Sequence, residues 1–121
     1  MQSLHELWGW WAVAIDGIVG VWGLALAWRQ RRPSRWFWAG VGVATVATLG
    51  QVVLGVVMIA SEEYAVGDQH VFYGLVIAFA FAFAYIYRAQ LATRPALSYG
   101  VFFLFVMGLG LRAITTLGLD F

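Results

Sequence analysis

The only two histidines of this chain, His5 and His70, are the residues best suited to chemistry. Each stands at the start of an apolar run, so both are expected at the same surface of a membrane-spanning bundle. Two imidazoles at matched depth on two helices are what bis-histidine ligation of a haem requires. They would equally suit a shared metal ion, a proton gate, or a purely interfacial role. The pair is therefore a candidate haem b site, beside an interpretation in which the chain has no cofactor, metal or catalytic residue.

Three further polar residues, Asp16, Gln51 and Arg112, interrupt apolar runs. A charged side chain near the bilayer centre costs about 2.5–3.5 kcal/mol on insertion scales, so each is expected to find a partner. The spacing predicts one buried polar cluster, most simply a structural clamp in which Arg112 reaches toward Asp16. Two alternatives stay open. Asp16 serves as a proton relay or ligand site, or Arg112 extends outward and Asp16 is protonated.

Composition places these residues in a membrane protein. Of 121 residues, 63% are apolar and 11% are charged, and the mean hydropathy is +0.83, whereas soluble domains carry about 25% charged residues. The absence of cysteine excludes disulfides, thiolate metal sites, iron–sulfur clusters and c-type haem attachment. The net charge of +1 gives no sign of a nucleic-acid partner. No motif of a soluble hydrolase or nucleotide-binding protein is found.

Four apolar runs, at about 4–28, 36–60, 69–87 and 95–113, each approach the ~20 residues that cross a bilayer as a helix. Arginines concentrate in segments 29–35 and 88–94, whereas the segment between the second and third runs is acidic. Because positive loops stay inside, segments 29–35 and 88–94 are expected in the cytoplasm of a bacterial cell. The sequence thus predicts one all-α domain over 1–121. It is an antiparallel up-down four-helix transmembrane bundle in the plasma membrane, with both termini outside.

Acidic residues and glycines indicate where contacts are expected. Glu62, Glu63 and Asp68 form an acidic patch on the outer side, which is a solvated loop by default and otherwise a docking patch for a basic partner.

Gly17, Gly20 and Gly23 recur every three residues of the first helix. Small residues let helix backbones approach in lipid, so this glycine stripe predicts close packing, although glycine is also simply common in membrane helices.

One stretch of the second helix resembles part of haem A synthase. Gln51-Val52-Val53-Leu54-Gly55-Val56-Val57, followed by a short outer loop and a histidine that opens the next helix, is similar to one four-helix half of that family. In that half, two non-adjacent helices each carry a histidine, and His5 and His70 match the arrangement. This chain covers one half only, so the resemblance implies haem binding or haem handling.

A second resemblance covers roughly the second half of the chain. The segments His70-Val71-Phe72-Tyr73-Gly74, Tyr85-Ile86-Tyr87-Arg88, Ser98-Tyr99-Gly100 and Phe105 to Ala113 resemble small four-helix accessory subunits of the actinobacterial cytochrome bcc–cytochrome oxidase supercomplex. This resemblance implies a non-catalytic accessory or assembly role. The implied partners are larger membrane subunits of both complexes, together with lipids. A further alternative is a small proton-coupled multidrug exporter. Such proteins also have four helices and a carboxylate near the membrane midplane on the first helix, and Asp16 is placed in the same way.

Overall fold

The computed structural model describes residues 2–61 and 68–116, and this part of the chain contains helices and no β-strand. The helices are α1 (Gln2–Trp28), α2 (Arg35–Ala60), α3 (Asp68–Ile86), α4 (Arg88–Leu91) and α5 (Pro95–Thr115). Four of them, α1, α2, α3 and α5, are long and apolar enough to cross a membrane. The predicted all-helical class with four such helices is confirmed. The short helix α4 was not predicted.

Local capping chemistry sets the helix ends. Beyond Trp28, the amide of Gln30 donates to the carbonyl of Ala27 and that of Arg31 to the carbonyl of Leu26. Gln30 has φ 54, the left-handed conformation that closes a helix in this way. The next helix, α2, is capped by Ser34, whose hydroxyl oxygen accepts a hydrogen bond from the amide of Phe37 at 3.4 Å. The positively charged turn is therefore defined by its own hydrogen bonds.

Helices α1 and α5 pack closely through glycine. A Cβ atom added to Gly23 would lie 2.7 Å from the Cα of Gly100, and one added to Gly20 would lie 2.7 Å from the side chain of Leu104. One added to Gly17 would lie 2.7 Å from the sulfur of Met107. All three are shorter than any ordinary carbon contact, so the glycine stripe is what permits this approach. The close packing predicted for it is confirmed.

A cluster of buried apolar side chains fills the half of the bundle that lies toward the charged turn. Val19, Phe37, Ala44 and Phe103 are buried there, and the rings of Trp22 and Phe37 meet edge to face at 5.5 Å. Helix α1 also packs along α2, and α3 packs along α5, whereas α2 and α3 touch each other only slightly. The bundle is therefore tight on three sides and loose between α2 and α3.

The acidic residues proposed as a docking patch lie largely outside the described part. Glu62 and Glu63 are not described, and for Asp68 the structure gives the backbone at the start of α3 but not the side chain.

Candidate functional site

The two histidines meet. His5 lies near the start of α1 and His70 is the third residue of α3, and their ring centroids are 6.1 Å apart with the planes at 78°. His5 is 7% exposed and His70 is partly buried. Residues separated by most of the chain thus form one edge-to-face pair at one end of the bundle. The predicted matched depth of the two side chains agrees with this placement.

Hydrogen bonds fix the roles of the histidine nitrogens in part. Nδ1 of His70 lies 2.6 Å from the carbonyl oxygen of Ala113. Because a carbonyl only accepts, His70 donates from Nδ1, and in the neutral ring Nε2 then carries the lone pair. Nδ1 of His5 is buried and has no hydrogen-bond partner among the described residues. His5 therefore has unused hydrogen-bonding capacity inside the protein.

Gln51 connects α2 to the histidine pair. Its side-chain Nε2 donates to the backbone carbonyl of His5 at 2.6 Å. Its Oε1 is buried and, within the described ranges, unpartnered. The amide orientation follows from this geometry, since only the nitrogen end can donate to a carbonyl. Gln51 thus presents an open acceptor beside His5.

Asp16 is 2% exposed and is held by Thr48 of α2. The Thr48 hydroxyl lies 3.0 Å from one carboxyl oxygen and 2.8 Å from the other, so it donates to the carboxyl group across the α1–α2 interface. Because Thr48 is uncharged, the partner that the described residues give this carboxyl group is a hydroxyl group and not a cation.

Arg112 lies apart from Asp16. It is exposed, and its guanidinium carbon lies 5.6 Å from the centre of the Tyr73 ring, a cation–π geometry. No ion pair joins it to Asp16 in the described structure. Of the three residues predicted as one cluster, Asp16 and Gln51 line the same cavity, whereas Arg112 is exposed and contacts Tyr73 instead.

A cavity of about 130 Å³ lies between the histidine pair and Asp16. Its walls come from α1, α2, α3 and α5, and its polar lining consists of His5, Asp16, Thr48, Gln51 and His70. The rest of the lining is aliphatic or glycine. Its exposed lining residues all belong to α2 and α3, namely Val56, Ile59, Val71 and Leu75. The cavity therefore opens between α2 and α3, where the bundle is loose.

Thr48 and the glycines one turn beyond the histidines were not predicted as site residues. Thr48 precedes Gln51 by three residues, which places both on one face of α2. Gly9 and Gly74 each follow a histidine by four residues, one helical turn further along α1 and α3, and both line the cavity. The repeated His-X3-Gly spacing was the signal that could have revealed the shared site.

The two histidines are suitable ligands for a haem, but the volume of the cavity is too small for one. Two imidazoles facing each other from α1 and α3 suit axial ligation. A cavity of about 130 Å³ does not hold a porphyrin, because pockets for drug-sized molecules already occupy about 300–1,000 Å³. A haem therefore does not fit this cavity. No group of three or more His, Asp or Glu side chains that could hold a metal ion occurs within residues 2–61 and 68–116.

Comparison of the chain with protein-family models, with curated proteins and with solved structures finds no match.

Proposed function

We propose that this chain is a non-catalytic accessory subunit of a bacterial respiratory electron-transfer supercomplex. It lies in the plasma membrane and packs against larger membrane subunits of the cytochrome bcc and cytochrome oxidase complexes. The resemblance of the second half of the chain to such subunits suggests the partner. The outward surface of the four helices supplies the physical argument.

The contacts support an antiparallel, up-down arrangement. Along α1, the positions 17, 20 and 23 meet 107, 104 and 100 of α5, so the two helices run in opposite senses. His70 meets Ala113, and Phe81 meets Phe102, so α3 and α5 also run in opposite senses. With segments 29–35 and 88–94 in the cytoplasm, as their arginines favour, both ends of the chain face outward.

The observation that carries the proposal is an outward face of α2 on which small residues leave room for another helix. Ala39 and Gly42 are exposed there beside the exposed Val43 and Val46, and a Cβ atom added to Gly42 would meet nothing within 4 Å. In lipid, helices associate through close packing at small residues rather than through burial from water. Gly17, Gly20 and Gly23 of α1 already pack against α5. Gly42 is available to a helix of another protein.

The test is co-purification from the native host with a matched pair of variants. The tagged chain is expected to bring down subunits of both respiratory complexes, and Gly42→Leu is expected to reduce their amount. The control is Gly74→Leu, because Gly74 also has open space beside it but lines the internal cavity. Equal recovery with both variants, or recovery of neither complex by the unaltered chain, would contradict the proposal.

The histidine pair favours a second candidate function, haem binding or handling, and the size of the cavity opposes it. This function predicts a Soret absorption band in the protein purified in mild detergent. The band would disappear in His70→Ala. A featureless visible spectrum from protein expressed with ample haem would exclude this function.

A further inference from the structure

We propose that the cavity between α1, α2, α3 and α5 binds the head group of a lipid-soluble quinol, a six-membered ring that carries two hydroxyl groups. Three features of the cavity support this assignment, namely its size, its entrance and its hydrogen-bonding groups. None of them depends on the accessory role proposed above.

The size of the cavity matches one ring. A protein cavity of about 150 Å³ with apolar walls holds one benzene molecule, and this cavity measures about 130 Å³. Most of its lining is aliphatic, from residues such as Val52, Ile77 and Val106. A single aromatic ring is therefore close to the largest rigid group it accommodates without movement of the helices.

The entrance of the cavity selects a ligand that comes from the hydrocarbon phase. All exposed lining residues are aliphatic and lie on α2 and α3, two helices that touch each other only slightly. Because both helices are long and apolar enough to span a membrane, the gap between them faces lipid tails. A hydrophobic tail attached to the ring would leave between Val56 and Leu75.

The polar groups inside select a hydrogen-bond donor. Gln51 offers Oε1, since its nitrogen end already donates to His5, and His70 offers Nε2, since Nδ1 already donates to Ala113. Asp16 adds carboxyl oxygens beyond the bond from Thr48. The cavity thus holds more free acceptors than donors, which hydroxyl groups satisfy and quinone carbonyls do not.

The acceptors are spread along the cavity rather than gathered at one point. Gln51 and Thr48, which holds Asp16, both line the cavity and lie three residues apart on one face of α2, so a ring between them can meet acceptors at different depths. His5 Nδ1, buried and without a partner in the described structure, lies at the same end as Gln51.

The test is equilibrium binding of 2-decylhydroquinone, whose ring carries only the two hydroxyl groups and the tail, to the full chain in lipid nanodiscs, measured by calorimetry under argon. We expect one saturable site and a Kd for this reduced form about tenfold lower than for 2-decyl-1,4-benzoquinone, a difference of about 1.4 kcal/mol. Gly74→Leu should abolish binding by filling the cavity, whereas Gly42→Leu should leave it unchanged, because Gly42 does not line the cavity. Gly74→Ala should weaken binding to an intermediate extent.

Three outcomes would overturn the proposal. These are equal affinity for the reduced and oxidised forms, binding that survives Gly74→Leu in a folded protein, and saturable binding of tetraphenylphosphonium in place of the quinol. Replacement of Gln51 by Met provides an independent check if Gly74→Leu does not fold, since it should erase the preference for the reduced form. Loss of partner proteins in Gly42→Leu with quinol binding retained would separate this proposal from the accessory role.

Discussion

Replacement of Thr48 by valine tests whether Asp16 depends on the hydroxyl group of its neighbour. Valine has nearly the shape of threonine, so the change removes the donor and leaves the volume almost unaltered. Both carboxyl oxygens of Asp16 lie within 3.0 Å of that hydroxyl, and Asp16 is 2% exposed. Thr48→Val therefore removes the hydrogen-bond donor that the described residues give this buried group.

The expected cost can be worked from this geometry. A buried group that loses its partner costs about 1–3 kcal/mol, and hydrogen bonds between helices in lipid average about 0.6 kcal/mol with a maximum near 1.7 kcal/mol. Because the hydroxyl serves both carboxyl oxygens, we expect the free energy of unfolding to fall by about 1–2 kcal/mol. Asp16→Leu removes the buried carboxyl itself. The double variant Asp16→Leu/Thr48→Val should therefore be at least as stable as the original protein.

The assay is reversible unfolding in mixed micelles of dodecyl maltoside and sodium dodecyl sulfate, followed by circular dichroism. Thr45→Val is the matched control on the same helix. Its hydroxyl donates at 2.8 Å to the carbonyl of Val41, within its own helix, so no contact between helices is lost. We expect its free energy of unfolding to stay within about 0.5 kcal/mol of the original.

Two results would refute this reasoning. If Thr48→Val and Thr45→Val destabilise equally, the hydroxyl of Thr48 does not hold Asp16. If the double variant is no more stable than Thr48→Val alone, the loss in the free energy of unfolding arises from packing around position 48. It then does not arise from the carboxyl group that has lost its hydrogen-bond donor.

Three further predictions concern packing, orientation and transport. Gly23→Ala should destabilise the protein by about 1–3 kcal/mol relative to Gly42→Ala in the same unfolding assay, because its Cβ would meet backbone atoms of α5 whereas that of Gly42 meets nothing; equal stabilities would show that α1 and α5 do not approach closely. A single cysteine introduced as Gln90→Cys, in a chain that has none of its own, should react with a membrane-impermeant maleimide in inverted membrane vesicles and not in intact spheroplasts, and the opposite pattern would reverse the proposed orientation. Resistance of the host to cationic drugs should be the same with the original chain and with Asp16→Asn, and a specific loss in the variant would favour the exporter function instead.

The sequence was sufficient to predict the four long helices, because length and hydropathy alone decide whether a segment can cross a bilayer. It also predicted the approach of α1 to another helix, since Gly17, Gly20 and Gly23 share one face. The short helix α4 was missed because Arg88–Leu91 is polar and too short to show a period. Hydropathy detects segments that are more stable in lipid than in water, and a four-residue helix that contains Arg88 and Gln90 gives no such signal.

The polar residues were harder to pair, because depth in a bilayer does not specify the direction of a side chain. Asp16 and Arg112 were expected to meet on grounds of charge, yet Thr48 supplies the partner of Asp16 and Tyr73 that of Arg112. Threonine escaped notice because its hydroxyl can bond within its own helix and so needs no partner. Charge shows which residues need a polar partner in the membrane, whereas the rotation of each helix about its axis decides which neighbour becomes that partner.

Packing and binding occupy different interfaces of this molecule, and the arrangement of glycines explains how. Gly20 and Gly23 bring the backbones of α1 and α5 together, which fixes α1 as the rigid support for His5 and Asp16. Gly74 has open space beside it and faces the cavity at the loose α2–α3 side. A small residue in a closed interface stabilises the bundle, whereas one in an open interface costs packing. The packing that is missing beside Gly74 is restored only if another molecule fills the space. Gly74→Leu should therefore raise the free energy of unfolding of the isolated chain and at the same time abolish binding of the ligand.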